Sequence, residues 1–145
     1  MTQEDKDLLL KDLCARLPYG VRMFEIEPIN DIQSNLTLYS ITNKASVVCI
    51  TPSGGVIGSS IDAFKPYLFP LSSMTEEQRE EFLNIQTEER QILLNALIEY
   101  KSGKYDKIPI IAPYKQIEWL NKNHFDYRGL IEKGLAIDCT GLNIY

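Results

Sequence analysis

Apolar positions change their spacing twice along the chain, and each change marks a new kind of structure. Up to Leu17, the residues Leu9, Leu10, Leu13 and Leu17 recur at helical spacing behind a polar start. That spacing predicts an amphipathic helix with one apolar stripe. Thr2 is placed to cap it, and Glu4, Asp5 and Asp7 suit the positive end of its dipole. Pro18 ends it, because proline disfavours helix in the residue before it. From Tyr19 the period shortens. Residues 21–26, 36–41 and 46–51 are β-branched, aromatic and partly alternating, and 56–61 supply a fourth run. Turn formers at 28–35, 43–44 and 52–55 separate them. Short connections favour an antiparallel meander, which must curl into a small barrel or lie on the first helix.

Residues 64–71 carry Pro66 and Pro70 and read as an extended connector pinned by its aromatics. Helical spacing then returns. Two overlapping capping boxes, Ser73 with Glu76 and Thr75 with Gln78, open a helix that Phe82, Leu83, Ile85, Ile92, Leu93, Ala96, Leu97 and Tyr100 continue. This is one long helix or two broken near Thr87, with Gly103 as left-handed cap. Pro109 and Pro113 frame another connection. A short helix follows over 114–123 with Ile117 and Leu120 inward, Asp126 caps a last helical turn to Ile131, and 135–137 add a terminal strand. The expected fold is α+β: an N-terminal helix, a small antiparallel β-meander or SH3-like half-barrel, and a helical C-terminal half. The expected lobes are 1–70 and 71–145, packed as one unit.

Composition narrows the function. With 145 residues, 44% hydrophobic and 24% charged, the chain can bury a core and is not disordered. Its net charge of −5 disfavours a general polyanion binder. No basic region precedes an apolar one at the start, and no apolar run approaches the roughly 20 residues of a membrane span. The three cysteines are scattered among apolar neighbours, as reduced thiols are. The expectation is a cytoplasmic chain without membrane contact.

Candidate chemistry concentrates in residues 118–131, which hold the one Trp and the one His. Trp119, His124, Asp126, Tyr127 and Arg128 form a candidate interaction or polar cluster. In extended backbone, His124, Asp126 and Arg128 share a face, so a general base and an anion holder would meet. The plainer reading makes Asp126 a cap, pairs Arg128 with an acid and lets His124 bond to backbone. It is preferred because no nucleophile or further ligand completes a set, so no catalytic residue is assigned. Cys14, beside Arg16, reads as a small buried hydrophobe and Cys49 as core. One His and three separated Cys cannot supply a zinc site, so neither metal nor cofactor is expected. The glycine-rich loop 53–60 lacks the lysine-serine ending of a P-loop and reads as a β-turn. Glu76, Glu77, Glu80, Glu81, Glu88 and Glu89 make a solvated helix face. Lys101, Lys104 and Lys107 follow as a candidate basic patch, able to steer a partner protein or to hold a nucleic-acid strand near Tyr105 and Tyr114.

Three blocks carry a resemblance: residues 8–21 around Cys14-Ala15-Arg16-Leu17-Pro18-Tyr19, residues 65–77 around Pro66-Tyr67-Leu68-Phe69-Pro70, and Trp119-Leu120 with residues 124–136. Together they resemble a family of small proteins from gut anaerobic bacteria and their phages or prophages. The resemblance implies a mobile-element setting and carries no chemistry. The leading expectation is a non-catalytic accessory protein that binds a protein partner. The alternatives are a nucleic-acid-associated small β-barrel and a small hydrolase using His124 and Asp126.

Overall fold

The protein is described by a computed structural model covering residues 1–27, 35–42, 46–104 and 114–145. It is α+β. Its elements are α1 (Gln3–Arg16), β1 (Arg22–Glu25), β2 (Leu36–Ile41), β3 (Ser46–Ile50), β4 (Val56–Ser60), β5 (Phe64–Pro70), α2 (Glu76–Lys101), α3 (Tyr114–Lys122), β6 (Phe125–Asp126) and β7 (Ile137–Asp138). Contacts divide the chain into two units: Met1–Ser73 with Asn121–Tyr145, and Met74–Leu120. Residues 121–145, expected in the helical lobe, therefore pack in the first unit.

In the first unit, α1 starts where its cap demands. The Thr2 hydroxyl accepts the Asp5 amide while the Asp5 carboxylate accepts the Thr2 amide, a complete capping box. Strands β1 to β4 form the antiparallel meander, and β5 returns to pair with β1 (Met23↔Pro66, Glu25↔Phe64). The sheet order is β4-β3-β2-β1-β5-β6, so β4 and β5 lie four inter-strand spacings apart. In a flat sheet that is about 19 Å. Yet only the 310 turn Ile61–Ala63 joins them, and four residue steps at about 2 Å of rise cover roughly 8 Å. The sheet must coil. Accordingly Ile26 and Glu27 after β1 line one shallow groove with Ser59 and Ser60 of β4. The meander also lies on the first helix, whose Leu9 and Leu13 pack into its core.

The coil encloses a core of Val21, Met23, Leu36, Leu38, Val47, Cys49 and Phe64, closed by Leu9 and Leu13 of α1 and by Leu130 and Leu135. Burial alternates along β1 and β3, as a half-buried strand requires. Burial pushes the Cys49 thiol up to about 12, with Glu25 adding to the shift, so it packs as a hydrophobe. Cys14 is exposed, against expectation. It lies one position off the buried Leu13.

The expected connector 64–71 is the strand on which the unit is organised. Proline argues against a central strand because it cannot donate to a ladder. Here β5's second edge is paired only from Tyr67 onward, by β7 (Tyr67↔Ile137) and then β6 (Phe69↔Phe125), past the missing donor of Pro66. The expected last helical turn after Asp126 is a series of turns, with Gly129 and Gly134 at positive φ.

In the second unit, α2 runs unbroken through Thr87, whose hydroxyl bonds back to the Leu83 carbonyl. Of the two capping boxes only Thr75 with Gln78 forms, both bonds present. Ser73 turns instead to the Pro70 carbonyl. The Glu89 carboxylate accepts the Lys115 amide and the Gln116 side chain, and the Phe82 ring meets Trp119 at 5.5 Å, which fixes α3 to one side of α2. Among the described residues, no helix is long and apolar enough to cross a membrane.

Candidate functional site

Four of the five candidate cluster residues gather in the first unit, and the sequence reading missed the two around which they gather. Asp12 and Arg16 of α1 are buried with no side-chain exposure. The Asp12 carboxylate accepts Arg16 Nε at 2.6 Å and Nη2 at 3.1 Å. Arg16 Nη2 also donates to the Phe125 carbonyl at 2.8 Å, tying α1 to β6. Arg128 brings its Nε within 3.2 Å of the same carboxylate, at ion-pair distance though not aligned as a hydrogen bond. Its Nη2 donates to the Tyr127 hydroxyl, which donates to the Asn121 side chain. Two guanidiniums thus share one carboxylate. The surplus positive charge faces the Tyr127 ring, 4.7 Å from the Arg128 guanidinium and 5.6 Å from that of Arg16. The clue was present in the sequence. Leu9, Asp12, Leu13 and Arg16 follow the i, i+3, i+4, i+7 pattern of one helix face. Ion pairs four apart are usually surface features, and the intervening leucines said that this one is not.

Asp126 bonds backbone amides, but it shapes a turn where a helix cap was expected. One carboxylate oxygen accepts the Leu130 amide at 2.9 Å and the other the Ile131 amide at 2.8 Å. Both oxygens are committed to shaping the turn. His124 sits at φ +59°, a left-handed conformation that non-glycine residues rarely hold. Its amide donates to the Asn121 carbonyl and its carbonyl accepts the Phe69 amide, so backbone bonds hold it there. Nδ1 is buried without a hydrogen-bond partner, and the imidazole stacks on Tyr145 at 4.0 Å and 13°. The Tyr145 hydroxyl accepts the Arg22 amide and donates to the Tyr67 carbonyl. Burial, then the charges of Arg16 and Arg22, holds the imidazole pKa down to about 4. At neutral pH the ring is an uncharged packing surface.

The remaining candidates lie in the second unit. Trp119 is buried in α3 against Phe82. Lys101 is exposed at the end of α2, and Lys104 pairs with Glu99 at 2.6 Å. Lys107 and Tyr105 lie outside the described residues. The groove of about 360 Å³ beside Ile26, Ser60 and Ala63 holds two acids, Glu27 and Asp62. Asp62 is bonded to Lys6, which keeps its carboxyl near 2. Among the described residues, no group of His, Cys, Asp and Glu is arranged to hold a metal.

Chemically, then, the charged cluster of the first unit is a fastening. Each oxygen of its two carboxylates accepts an internal donor, and its nitrogens without a hydrogen-bond partner, Arg16 Nη1, Arg128 Nε and His124 Nδ1, are closed to solvent. The second unit presents a different surface: Leu83, Ile92, Leu93, Leu94 and Ile98 of α2 are each more than 40% exposed. No protein-family model, curated protein or solved structure matches the chain.

Proposed function

We propose that this chain is a non-catalytic accessory protein that acts by binding protein, in the cytoplasmic, phage or mobile-element setting implied by its three sequence blocks. The reading is carried by the aliphatic surface of α2. Isolated exposed leucines are ordinary on any protein. Three large aliphatic side chains turned outward on one side of a helix, Leu83, Leu94 and Ile98, with Ile92 and Leu93 exposed elsewhere on it, are a docking surface or a liability. The polar cluster supports the same reading from the other side, because Asp12, Asp126 and Arg16 already serve the fold. Nucleic acid is the weaker occupant. The net charge is −5, and Lys104 of the basic patch pairs with Glu99. Affinity capture from native cells with the intact chain and with Leu94→Glu as bait tests the proposal. A protein retained reproducibly by the first bait and lost by the second is the expected outcome, and identical recovery by both counts against it.

A further inference from the structure

We propose that the outer face of α2 is a self-association surface, and that two copies of this chain pair through it antiparallel. The proposal rests on the protein-binding reading above and names the partner. At 3.6 residues per turn, Leu83, Thr87, Leu94 and Ile98 fall on one side of α2, with Glu76 and Lys101 at its two ends. All six are exposed. Phe82 and Glu89, which hold α3, lie on another side, so this face has no occupant among the described residues of its own unit. With Arg90, which falls on the same side, the residues from Leu83 to Lys101 step by three and four, the spacing of a two-helix seam.

Charge decides the direction. The N-terminal part of α2 carries Glu76, Glu77, Glu80 and Glu81 against Arg79 alone, while the other end carries Lys101 together with Glu99, which is paired with Lys104. An antiparallel register with Leu83 opposite Leu94 of the second copy sets Glu76 opposite Lys101 and Thr87 opposite Arg90. Each pair occurs twice about the symmetry axis, as an isologous interface requires. The parallel alternative sets Glu76, Arg90 and Lys101 each against itself. Like charges in register are unfavourable, so the helix is complementary to itself in one direction only.

Sedimentation equilibrium of the full chain tests this, with far-UV circular dichroism confirming that each variant keeps its helix content. The expected result is a reversible dimer with a Kd at or below about 100 µM. Leu94→Glu is expected to raise that Kd at least about tenfold by placing a charge in the seam. Lys101→Glu should weaken the dimer by setting acid against Glu76, and adding Glu76→Lys should restore it to within about threefold, because the pair is re-formed with its signs exchanged. Failure of the double variant to recover overturns the antiparallel arrangement. A chain that stays monomeric to several hundred micromolar, or a dimer indifferent to Leu94→Glu, overturns self-association through this face. The broader reading is separable: a monomeric chain that still captures a cellular protein in a Leu94-dependent manner refutes the self-pairing and leaves protein binding standing.

Discussion

Replacing Asp12 with Asn removes one charge and almost no volume, which makes it the cleanest probe of the buried cluster. In the native unit the carboxylate receives two bonds from Arg16 and stands 3.2 Å from Arg128. Arg128 keeps 18% of its side chain exposed and also bonds to Tyr127, so it can turn toward water. Arg16 cannot, because its side chain is fully buried and its one other bond goes to the Phe125 carbonyl. Stranding such a charge typically costs about 3–5 kcal/mol, a large part of the 5–15 kcal/mol that holds a domain together. For a unit of about 100 residues, each kcal/mol moves the midpoint by about 4–8 °C, so the melt should fall by at least about 12 °C. Near-UV circular dichroism of the tyrosines is the appropriate signal, since the one Trp belongs to the second unit. Removing both partners, as Asp12→Leu with Arg16→Met, should cost less than Asp12→Asn alone, because the fully buried charge is gone, Arg128 can turn toward water and the Phe125 carbonyl loses one donor. A loss under about 1 kcal/mol for Asp12→Asn, or a double variant as damaged as the sum of its singles, would show that the cluster does not hold the unit together.

His124 gives the unit a defined pH dependence. Its folded pKa, near 4, lies below the ordinary 6.5, so the unfolded chain takes up the proton first. The stabilisation is complete above about pH 6.5 and is lost progressively as pH falls toward 4, on the order of 3 kcal/mol in all. Denaturant midpoints should decline between pH 6.5 and 5, where ordinary carboxylates scarcely titrate, and His124→Gln should flatten that decline; a native curve already flat there removes the argument. Tyr145→Phe should cost about 1–3 kcal/mol in the same titration, because the Arg22 amide and Tyr67 carbonyl both lose their partner. An unchanged midpoint would mean that water replaces the hydroxyl without penalty.

The fold was legible where local physics decides it. The Thr2 cap, the leucine stripe of α1 and the β-branched runs of β2 and β3 all appear where pattern and capping chemistry put them. What was illegible depends on distant partners. Pro66 and Pro70 disguised β5, because a sequence does not reveal that the second edge begins to pair one residue past a missing donor. The two capping boxes were equally good locally, and the Pro70 carbonyl drew Ser73 away. In the cluster, Arg128 pairs with an acid as the plainer reading expects, whereas Asp126 bonds the amides of a turn and caps no helix. The acid was not identified, because Asp12 lies more than a hundred positions away in the chain. Nor did spacing reveal that His124 would meet the Tyr145 ring.

The bond from Arg16 to the Phe125 carbonyl spans 109 positions. The apolar side of α1 carries an acid and a base that enter a dry interior only with the groups supplied by β6 and Arg128. The first unit is therefore closed by groups that sequence neighbours cannot supply.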